Sequence, residues 1–340
     1  MSNAPGYARG GGGMLKLRFD RYINDTGLAN GIPPNDNNNG LSYINNINVN
    51  NNKFSFSFAS SSNVFSHLNK LCRSKATTLD NISSKIIREC ADLISVSLCD
   101  LFTFPDDWKC ATVTPLFKQG EASDLNNYRP ISLISVTAKV FKRIVYEQLY
   151  KFLSNEDIIS TRQSGFRSLH LTVTALLETT DNWAFNIDRG NVNNAVVFLY
   201  FKKAFDTVDH DILVSKMNLN GIQGIALDWF RSYLTNRTQR CLVNGSLSRI
   251  CSLKCAVLQG TILGPLFILI YINDLPNCLT CCQPRMYADD THITYPDVDV
   301  NSIQLNLNHG LGNLNKWLTS NKLTLNTTKT EFMLTVVEPT

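Results

Sequence analysis

The segment that most constrains the fold is an uninterrupted apolar run at residues 195–201, of sequence AVVFLYF. A strand with one solvated face alternates apolar and polar side chains, whereas a continuous β-branched and aromatic run is typical of a strand buried on both faces. Asparagines precede the run, and Lys202 and Lys203 follow it. We therefore predict a buried central strand in a sheet backed by helices.

Helices are predicted where apolar residues recur every three to four positions. This spacing is sustained from Val64 to Leu101, and Asp80 or Asn81 is the expected N-cap of the helix that contains Ile86. Further helices are expected at residues 137–153, 172–189, 225–234 and 302–320, in a segment from 202 to about 221, and in an apolar segment from 259 to about 274.

Short β-prone segments alternate with these helices. Residues 111–118 and the region around Arg129 form one candidate hairpin, and Asn244-Gly245 marks a second hairpin between 238–243 and 246–253. Strands are also expected in a hairpin at 286–295 and at 323–326 and 331–334. This layout predicts an α+β fold whose strands meet in one antiparallel sheet.

Composition sets broad limits on the chain. Its 340 residues are 44% hydrophobic and 18% charged, and the formal net charge is +4. These values favour a soluble globular protein and permit nucleic-acid binding without demonstrating it. Residues 1–53 are rich in Gly and Asn and are expected to be disordered, and they contain no secretion signal. No apolar run in the sequence is long enough to cross a bilayer.

The ten cysteines are scattered without the compact spacing of a disulfide framework. This pattern indicates a reducing compartment, so we expect an intracellular protein. The alternative is a structural zinc set formed by Cys251, Cys255, Cys278 and Cys281, although the chain has no second Cys-x-x-Cys pair.

Two adjacent carboxylates, Asp289 and Asp290, lie between apolar and β-prone flanks. The pattern predicts a tight hairpin with both residues at its tip. Hard carboxylate oxygens are suitable ligands for a divalent cation, but an Asp-Asp pair is also common in solvated turns. The motif alone leaves both interpretations open.

Two cations, Lys118 and Arg129, lie on the first candidate hairpin. They are either part of a solvated face or a binding site for a triphosphate. The Arg guanidinium can donate two parallel hydrogen bonds to phosphate oxygens, and the Lys ammonium acts as a compact positive charge. A metal-dependent hydrolase built on Asp206, Asp209 and Asp211 with the Asp pair is a further alternative. It is disfavoured because His210 has no metal-ligand partner at helical spacing.

Five motifs together resemble the reverse transcriptase domain of non-LTR, LINE-type and jockey-like retrotransposons. In chain order they are NNYRPISL at 126–133, KKAFD at 202–206, QGTILGP at 259–265, YADD at 287–290, and LN at 325–326 with KT at 329–330. Five motifs in order are more specific than any one of them.

The resemblance implies a right-hand polymerase with fingers and an antiparallel palm sheet. Residues 54–103 would be a helical region preceding the polymerase, 104–335 the fingers and palm, and 336–340 the start of a truncated thumb. Family chains usually carry an endonuclease before this region, so the chain is expected to be a fragment of a mobile element.

The implied reaction adds deoxynucleotides to a primer 3′-hydroxyl under the direction of an RNA template. By resemblance, Asp289 and Asp290 bind two Mg²⁺ ions, with Mn²⁺ as a substitute, and Lys329 protonates the leaving group. The implied partners are an RNA template, a DNA primer or target DNA, and deoxynucleoside triphosphates, in the cytoplasm or nucleus and without a membrane.

The resemblance also implies a nucleotide site. Lys118 and Arg129 would hold the triphosphate, and Gln259 and Gly260 would pack against the incoming nucleotide and the template. Phe205 would lie under the sugar, where its ring leaves no room for a ribose 2′-hydroxyl.

One departure from the family pattern concerns the first catalytic carboxylate, whose position is occupied by Tyr200. A phenol is uncharged at neutral pH and is a poor Mg²⁺ ligand, and Asp206 lies too far along the chain to replace it. The hypothesis is that this copy keeps the polymerase fold with weak or no activity. Tyr200 is either a true substitution or an altered reading of one base.

Other classes remain as alternatives. The first is a non-catalytic nucleic-acid-binding remnant of the same fold. Others are an RNA-directed RNA polymerase, which Phe205 disfavours, and a maturase-like protein, which the residues flanking the motifs disfavour.

Overall fold

The computed structural model describes residues 52–72, 80, 82–100, 103–190 and 193–336. Residues 1–53, which were predicted to be disordered, therefore lie almost wholly outside the described residues. The same is true of the candidate cap Asn81 and of residues 337–340 in the expected thumb segment.

Two compact units make up the described chain. The first unit combines Ile159–Thr207 with Tyr271–Thr340, and the second combines Asn48–Ile158 with Val208–Ile270. Each unit joins segments that are distant in sequence and contains its own sheet.

The helices predicted at 137–153, 172–189, 225–234 and 302–320 are confirmed, with ends that differ by no more than two residues. Within the described residues they are α1 Ser61–Asn69, α2 Ser84–Glu89, α3 Ala91–Cys99, α4 Val136–Asn155, α5 Thr172–Asp188, α6 Ala204–Thr207, α7 His210–Leu219, α8 Gly224–Leu234, α9 Leu263–Ile272 and α10 Val300–Ser320. Short 3₁₀ turns lie at Asp106–Lys109, Leu125–Asn127 and Leu275–Cys278.

The strands are mostly short and belong to hairpins. They are β1 Cys110–Phe117, β2 Tyr128–Leu133, β3 Asn193–Leu199, β4 Thr238–Val243, β5 Ser246–Leu247, β6 Cys251–Ser252, β7 Gln283–Tyr287, β8 Asp290–Asp297 and β9 Glu331–Val336. The mixture of helices and mainly antiparallel strands confirms the α+β class.

The sheet of the first unit has the order β7-β8-β3-β9 and is antiparallel throughout. Strand β3 lies inside it, paired on one side with β8 and on the other with β9, and Val196 and Val197 are fully buried. The buried central strand is therefore confirmed. Helix α10, capped by the Asp299 side chain, packs against β8 and buries a stripe that includes Leu307 and Leu314.

A second sheet occupies the second unit, in the order β2-β1-β4-β5, with β6 also paired to β4. Strands β1 and β4 pair in parallel, with Cys110 opposite Thr238. The single antiparallel sheet expected from the sequence is therefore wrong. Hairpins are set by local turn residues, but the pairing of strands from distant segments depends on tertiary contacts that a periodicity does not encode.

Three helices, α1 to α3, occupy the segment expected to keep one helical spacing from Val64 to Leu101. The N-cap of α2 is Ser83, whose hydroxyl accepts from the Ile86 N–H, so Asp80 is not the cap. The Asp80 carboxylate instead accepts from the Ile82 N–H in a turn before the helix. In this region Ile87 and Ala91 enter a core with α1 and α4, whereas Leu93 is 79% exposed.

Two further segments are shorter or more divided than predicted. Residues 323–326 form no strand and make only an isolated antiparallel bridge between Phe201 and Leu325. The helix expected to run to about 221 is divided into α6 and α7, because Asp209 starts a new helix as its N-cap. Asn244 and Gly245 have φ of 49° and 79°, which fits the predicted two-residue hairpin turn between β4 and β5.

Among the helices of the described residues, none is long and apolar enough to cross a membrane.

Two cations that the sequence analysis did not single out are buried in the second unit and share the same two aromatic rings. Lys142 is fully buried and Arg237 is 2% exposed, and both lie over the rings of Phe104 and Tyr233. The Lys142 Nζ and the Arg237 Nε and Nη2 have no hydrogen-bond partner among the described residues. Burial, followed by the charge of Arg237, holds the pKa of Lys142 well below its ordinary 10.5.

We predict that Lys142→Met stabilises the protein by about 1–3 kcal/mol at neutral pH, because it removes an unpaired buried amine. A lysine whose pKa falls on folding binds fewer protons in the folded state, so wild-type stability rises with pH between the lowered pKa and the ordinary 10.5. The gain from Lys142→Met should therefore shrink as the pH approaches 10.5. Urea unfolding at several pH values measures this gain in the free energy of unfolding. A gain that does not change with pH would contradict the lowered pKa of Lys142.

Candidate functional site

The two adjacent carboxylates lie at a hairpin tip, as the sequence predicted. Tyr287 pairs with Asp290, so Ala288 and Asp289 form a two-residue loop between β7 and β8. Ala288 has φ of 57°, a conformation that is unfavourable for a residue with a Cβ atom. Asp290 begins β8, and the turn brings the two aspartates together at the end of the sheet.

The two carboxyl groups at this tip have raised pKa values. Partial burial raises the pKa of both carboxyls, and the Asp289 charge raises the pKa of Asp290 further. The charge of Lys329 opposes this effect and lowers the pKa of Asp290. A cation beside the pair would therefore be stabilised.

Tyr200 follows β3 directly and lies next to Asp290 through the strand register. Leu199 pairs with Thr291, so the next antiparallel positions are Tyr200 and Asp290, and directly opposite residues point to the same face. Both residues line a cavity of about 250 Å³, which Leu176 of α5 also lines. The Tyr200 carbonyl accepts from the Asn326 N–H at 2.6 Å, which ties this end of β3 to the turn before Lys329.

The donor set decides which metal arrangement fits. Asp289 and Asp290 supply carboxylate oxygens suited to one hard divalent cation. The described residues contain no group of three His, Cys, Asp or Glu side chains that could hold a metal. Because a phenol stands beside Asp290 where the family pattern has a carboxylate, the two-ion arrangement implied by the resemblance does not fit this chain.

Phe205 lies in α6, also in the first unit. Its ring meets that of Phe166 edge to face, with centroids 6.5 Å apart. Phe166 has φ of 55° and is 45% exposed, so the two rings form a partly open aromatic pair. Phe166 lies in none of the five sequence motifs and was not predicted to belong to the site.

The other candidate nucleotide residues belong to the second unit. Lys118 continues the β1–β2 hairpin, since its N–H donates to the Asn127 carbonyl at 2.8 Å, and Arg129 pairs with Leu116. This register puts Lys118 and Arg129 diagonally on one face of the hairpin. Both are exposed, and neither makes an ion pair with a described residue.

Gln259 and Gly260 lie against the same hairpin. The Gln259 carbonyl accepts from the Ser132 N–H at 3.0 Å, and a Cβ atom on Gly260 would meet Ile131 Cγ2 at 3.1 Å. Gly260 also has φ of 82°. The second unit therefore brings Lys118, Arg129, Gln259 and Gly260 to one hairpin, while the first unit brings the Asp pair, Tyr200 and Lys329 to another.

Two residues considered for the hydrolase alternative, Asp209 and His210, have structural roles. The Asp209 carboxylate caps α7 by accepting from the N–H groups of Asp211 and Ile212. The His210 Nε2 lies 2.8 Å from the Ala256 carbonyl oxygen. These contacts account for both residues without a metal.

Comparison with known proteins identifies the class. Residues 117–339 match the family described as Reverse transcriptase (RNA-dependent DNA polymerase), and the chain belongs to that family.

Named relatives come from insect mobile elements. The chain is 32% identical over 235 residues to the probable RNA-directed DNA polymerase from transposon BS of Drosophila melanogaster, which covers 67% of this chain and 26% of the relative. It is 27% identical over 282 residues to the RNA-directed DNA polymerase from mobile element jockey of the same species, covering 76% and 30%. These matches confirm the resemblance to jockey-like retrotransposons, and the chain spans less than a third of either relative.

A solved structure, apo telomerase from Candida tropicalis truncated from its C-terminal domain, matches with a TM-score of 0.48 at 10% identity. The match covers 78% of this chain and 59% of the telomerase chain.

We predict that Gly260→Ala destabilises the protein by about 2 kcal/mol, from the positive φ and from the crowding against Ile131. Gly245→Ala is the matched control, because Gly245 has φ of 79° and no atom within 4 Å of an added Cβ. The control should cost about 1 kcal/mol. Equal losses of free energy in urea unfolding would show that Gly260 does not closely contact β2.

Proposed function

We propose that this chain is the RNA-directed DNA polymerase domain of a non-LTR retrotransposon, which adds deoxynucleotides to a primer 3′-hydroxyl. The observation that carries the proposal is the pair of carboxylates at the β7–β8 tip, beside the end of the buried strand β3 and near Lys329. Residues 104–335 would form the fingers and palm, and residues 54–103 the preceding helical region.

In the reaction, the primer 3′-hydroxyl gives up its proton to solvent, its oxygen forms a bond to the α-phosphorus of the nucleotide, and the bond from that phosphorus to pyrophosphate breaks. Asp289 and Asp290 would hold Mg²⁺, or Mn²⁺ in its place, and the bound ion would supply charge neutralisation for the phosphates. Lys329 would donate a proton to the departing pyrophosphate oxygen.

The remaining residues would bind and select the nucleotide. Lys118 and Arg129, exposed on one face of their hairpin, would hold the triphosphate through charge-assisted hydrogen bonds. The Gln259-Gly260 loop would pack against the base pair being formed. Phe205 would contact the sugar, where its ring would exclude a 2′-hydroxyl and so favour deoxynucleotides.

Tyr200 would limit the reaction in this copy. Its phenol stands next to Asp290 and supplies no carboxylate, so the chain should have weak or no polymerase activity despite an intact fold. Nothing in the packing of β3 requires a tyrosine there, because the strand is held by its ladders to β8 and β9.

We predict that Tyr200→Asp raises primer extension on an RNA template with Mg²⁺ by about a hundredfold or more, because it restores charge at the reacting centre. Tyr200→Asn, which has the size of Asp without its charge, should not extend the primer. Adding Asp290→Asn to Tyr200→Asp should abolish the gain. Robust extension by the unmodified chain would show that the interpretation of Tyr200 is wrong.

A second candidate function is nucleic-acid binding without catalysis, and the same Tyr200 substitution favours it. The exposed cations Lys118 and Arg129 do not depend on the metal site and would retain phosphate contacts.

For either function, we predict that the combined Lys118→Met and Arg129→Met variant weakens primer–template binding at low salt. The slope of log affinity against log salt should fall by about 2, because each lost phosphate contact removes about one released counterion. Lys85→Met, an exposed lysine in α2, is the control and should leave the slope unchanged. Fluorescence anisotropy at several salt concentrations measures it, and an unchanged slope in the double variant would exclude these two residues from the interface.

A further inference from the structure

The loop that carries the two aspartates depends on support from another segment. Ala288 adopts φ of 57° and is only 7% exposed. Its peptide lies outside the β7–β8 ladder, which closes at Tyr287 and Asp290. A buried backbone group needs a hydrogen-bond partner, so the partners of Ala288 determine whether the loop keeps this conformation.

A single side chain, that of Gln163, meets both polar groups of the Ala288 backbone. Its Oε1 accepts from the Ala288 N–H at 2.8 Å, and its Nε2 donates to the Ala288 carbonyl at 3.0 Å. The same Oε1 accepts from the Gly165 N–H at 2.7 Å, which fixes the direction of the amide. Gln163 is 2% exposed, so these bonds are shielded from water.

The flanking backbone brings this amide into place. The Ser164 N–H donates to the Met286 carbonyl at 2.9 Å, and the Met286 N–H donates to the Arg162 carbonyl at 2.8 Å. Residues 162–164 therefore run along the edge of β7 that β8 does not use. A Cβ atom on Gly165 would lie 2.0 Å from the Ala288 nitrogen, so only glycine allows this approach.

We propose that Gln163 is a positioning residue, whose side-chain amide holds Ala288 in its left-handed conformation and so keeps Asp289 and Asp290 together as a preformed cation site. The role of the Asp pair rests on the proposed function. Gln163 touches no reacting group and acts only through the Ala288 peptide. We call this pair of hydrogen bonds from Gln163 to the Ala288 backbone the Gln163 clamp. It explains why a residue with a Cβ atom can occupy this turn position.

The test replaces the amide and measures the turn and the cation site separately. Gln163→Met keeps the length of the side chain and removes its hydrogen bonds. Amide hydrogen exchange across residues 286–291 should become about tenfold faster. Affinity for Tb³⁺, a luminescent hard cation that Tyr287 and Tyr200 can sensitise, should fall about tenfold or more.

The matched control is Asn194→Leu, which removes another buried amide from the first unit. Asn194 accepts from Asn186 and donates to the Trp183 carbonyl, and it pairs with Pro296 at the far end of β3. This variant should lower the melting temperature without changing Tb³⁺ affinity or exchange at 286–291. Ala288→Gly added to Gln163→Met should recover part of the lost affinity, since glycine adopts positive φ without a Cβ penalty.

The outcomes separate the clamp from the proposed function. If amide exchange at 286–291 is unchanged in Gln163→Met, the proposed role of Gln163 is wrong. It is also wrong if Asn194→Leu loses as much Tb³⁺ affinity as Gln163→Met. If the unmodified chain does not bind Tb³⁺, the assignment of the Asp pair as a cation site fails. Exchange at 286–291 then still decides whether Gln163 holds the turn.

Discussion

The antiparallel register of β3 against β8 is the constraint on which the site of the first unit depends. Because Leu199 pairs with Thr291, the end of the buried strand stands beside the start of the strand that carries Asp290. A shift of one residue would turn every side chain of β3 to the opposite face, and the second ladder to β9 opposes such a shift. The fold thus fixes which side chain faces Asp290 before any chemistry is considered.

Some of the backbone strain in the first unit lies in and beside the hairpin that carries the Asp pair. Ala288, Phe166 and Lys203 all have positive φ, and they lie in the hairpin loop, in the segment that supports it and before α6. Residues in such conformations persist only when their surroundings hold them. Here the surroundings include the Gln163 amide and the close approach of Gly165 to the Ala288 peptide.

Local patterns were enough to predict much of this architecture. The apolar run at 195–201, the Asn244-Gly245 turn and the tip at Asp289 each encode their structure within about ten residues, through burial, turn chemistry and alternation. The hairpin that aligns Lys118 with Arg129 followed in the same way. The nucleotide and metal roles of these residues came from the family resemblance and stay predictions.

What the sequence could not show are relations between distant segments. The strands form two sheets, and one of them contains the parallel pair β1 and β4. The sequence of neither strand indicates that it pairs with the other. Gln163 belongs to a segment with no periodic signal, and its role depends on a loop 125 residues away. Lys142 lies on the buried face of α4 together with Ala138 and Leu149, but a lysine is ordinarily expected to extend to solvent, and its burial beside Arg237 involves aromatic rings contributed by other elements.

The geometry also separates what maintains the fold from what would perform the chemistry. Strand β3 is held by backbone ladders on both edges and by a bond from the Asn326 N–H to the Tyr200 carbonyl, none of which uses the side chain at position 200. A tyrosine is therefore accommodated there without loss of the strand, and it lines a cavity together with Asp290. Selection for folding alone would not remove such a substitution. Under the proposed function, a chain of this kind would keep the architecture of a polymerase, and the exposed cations of its second unit, with one carboxylate fewer in the first unit.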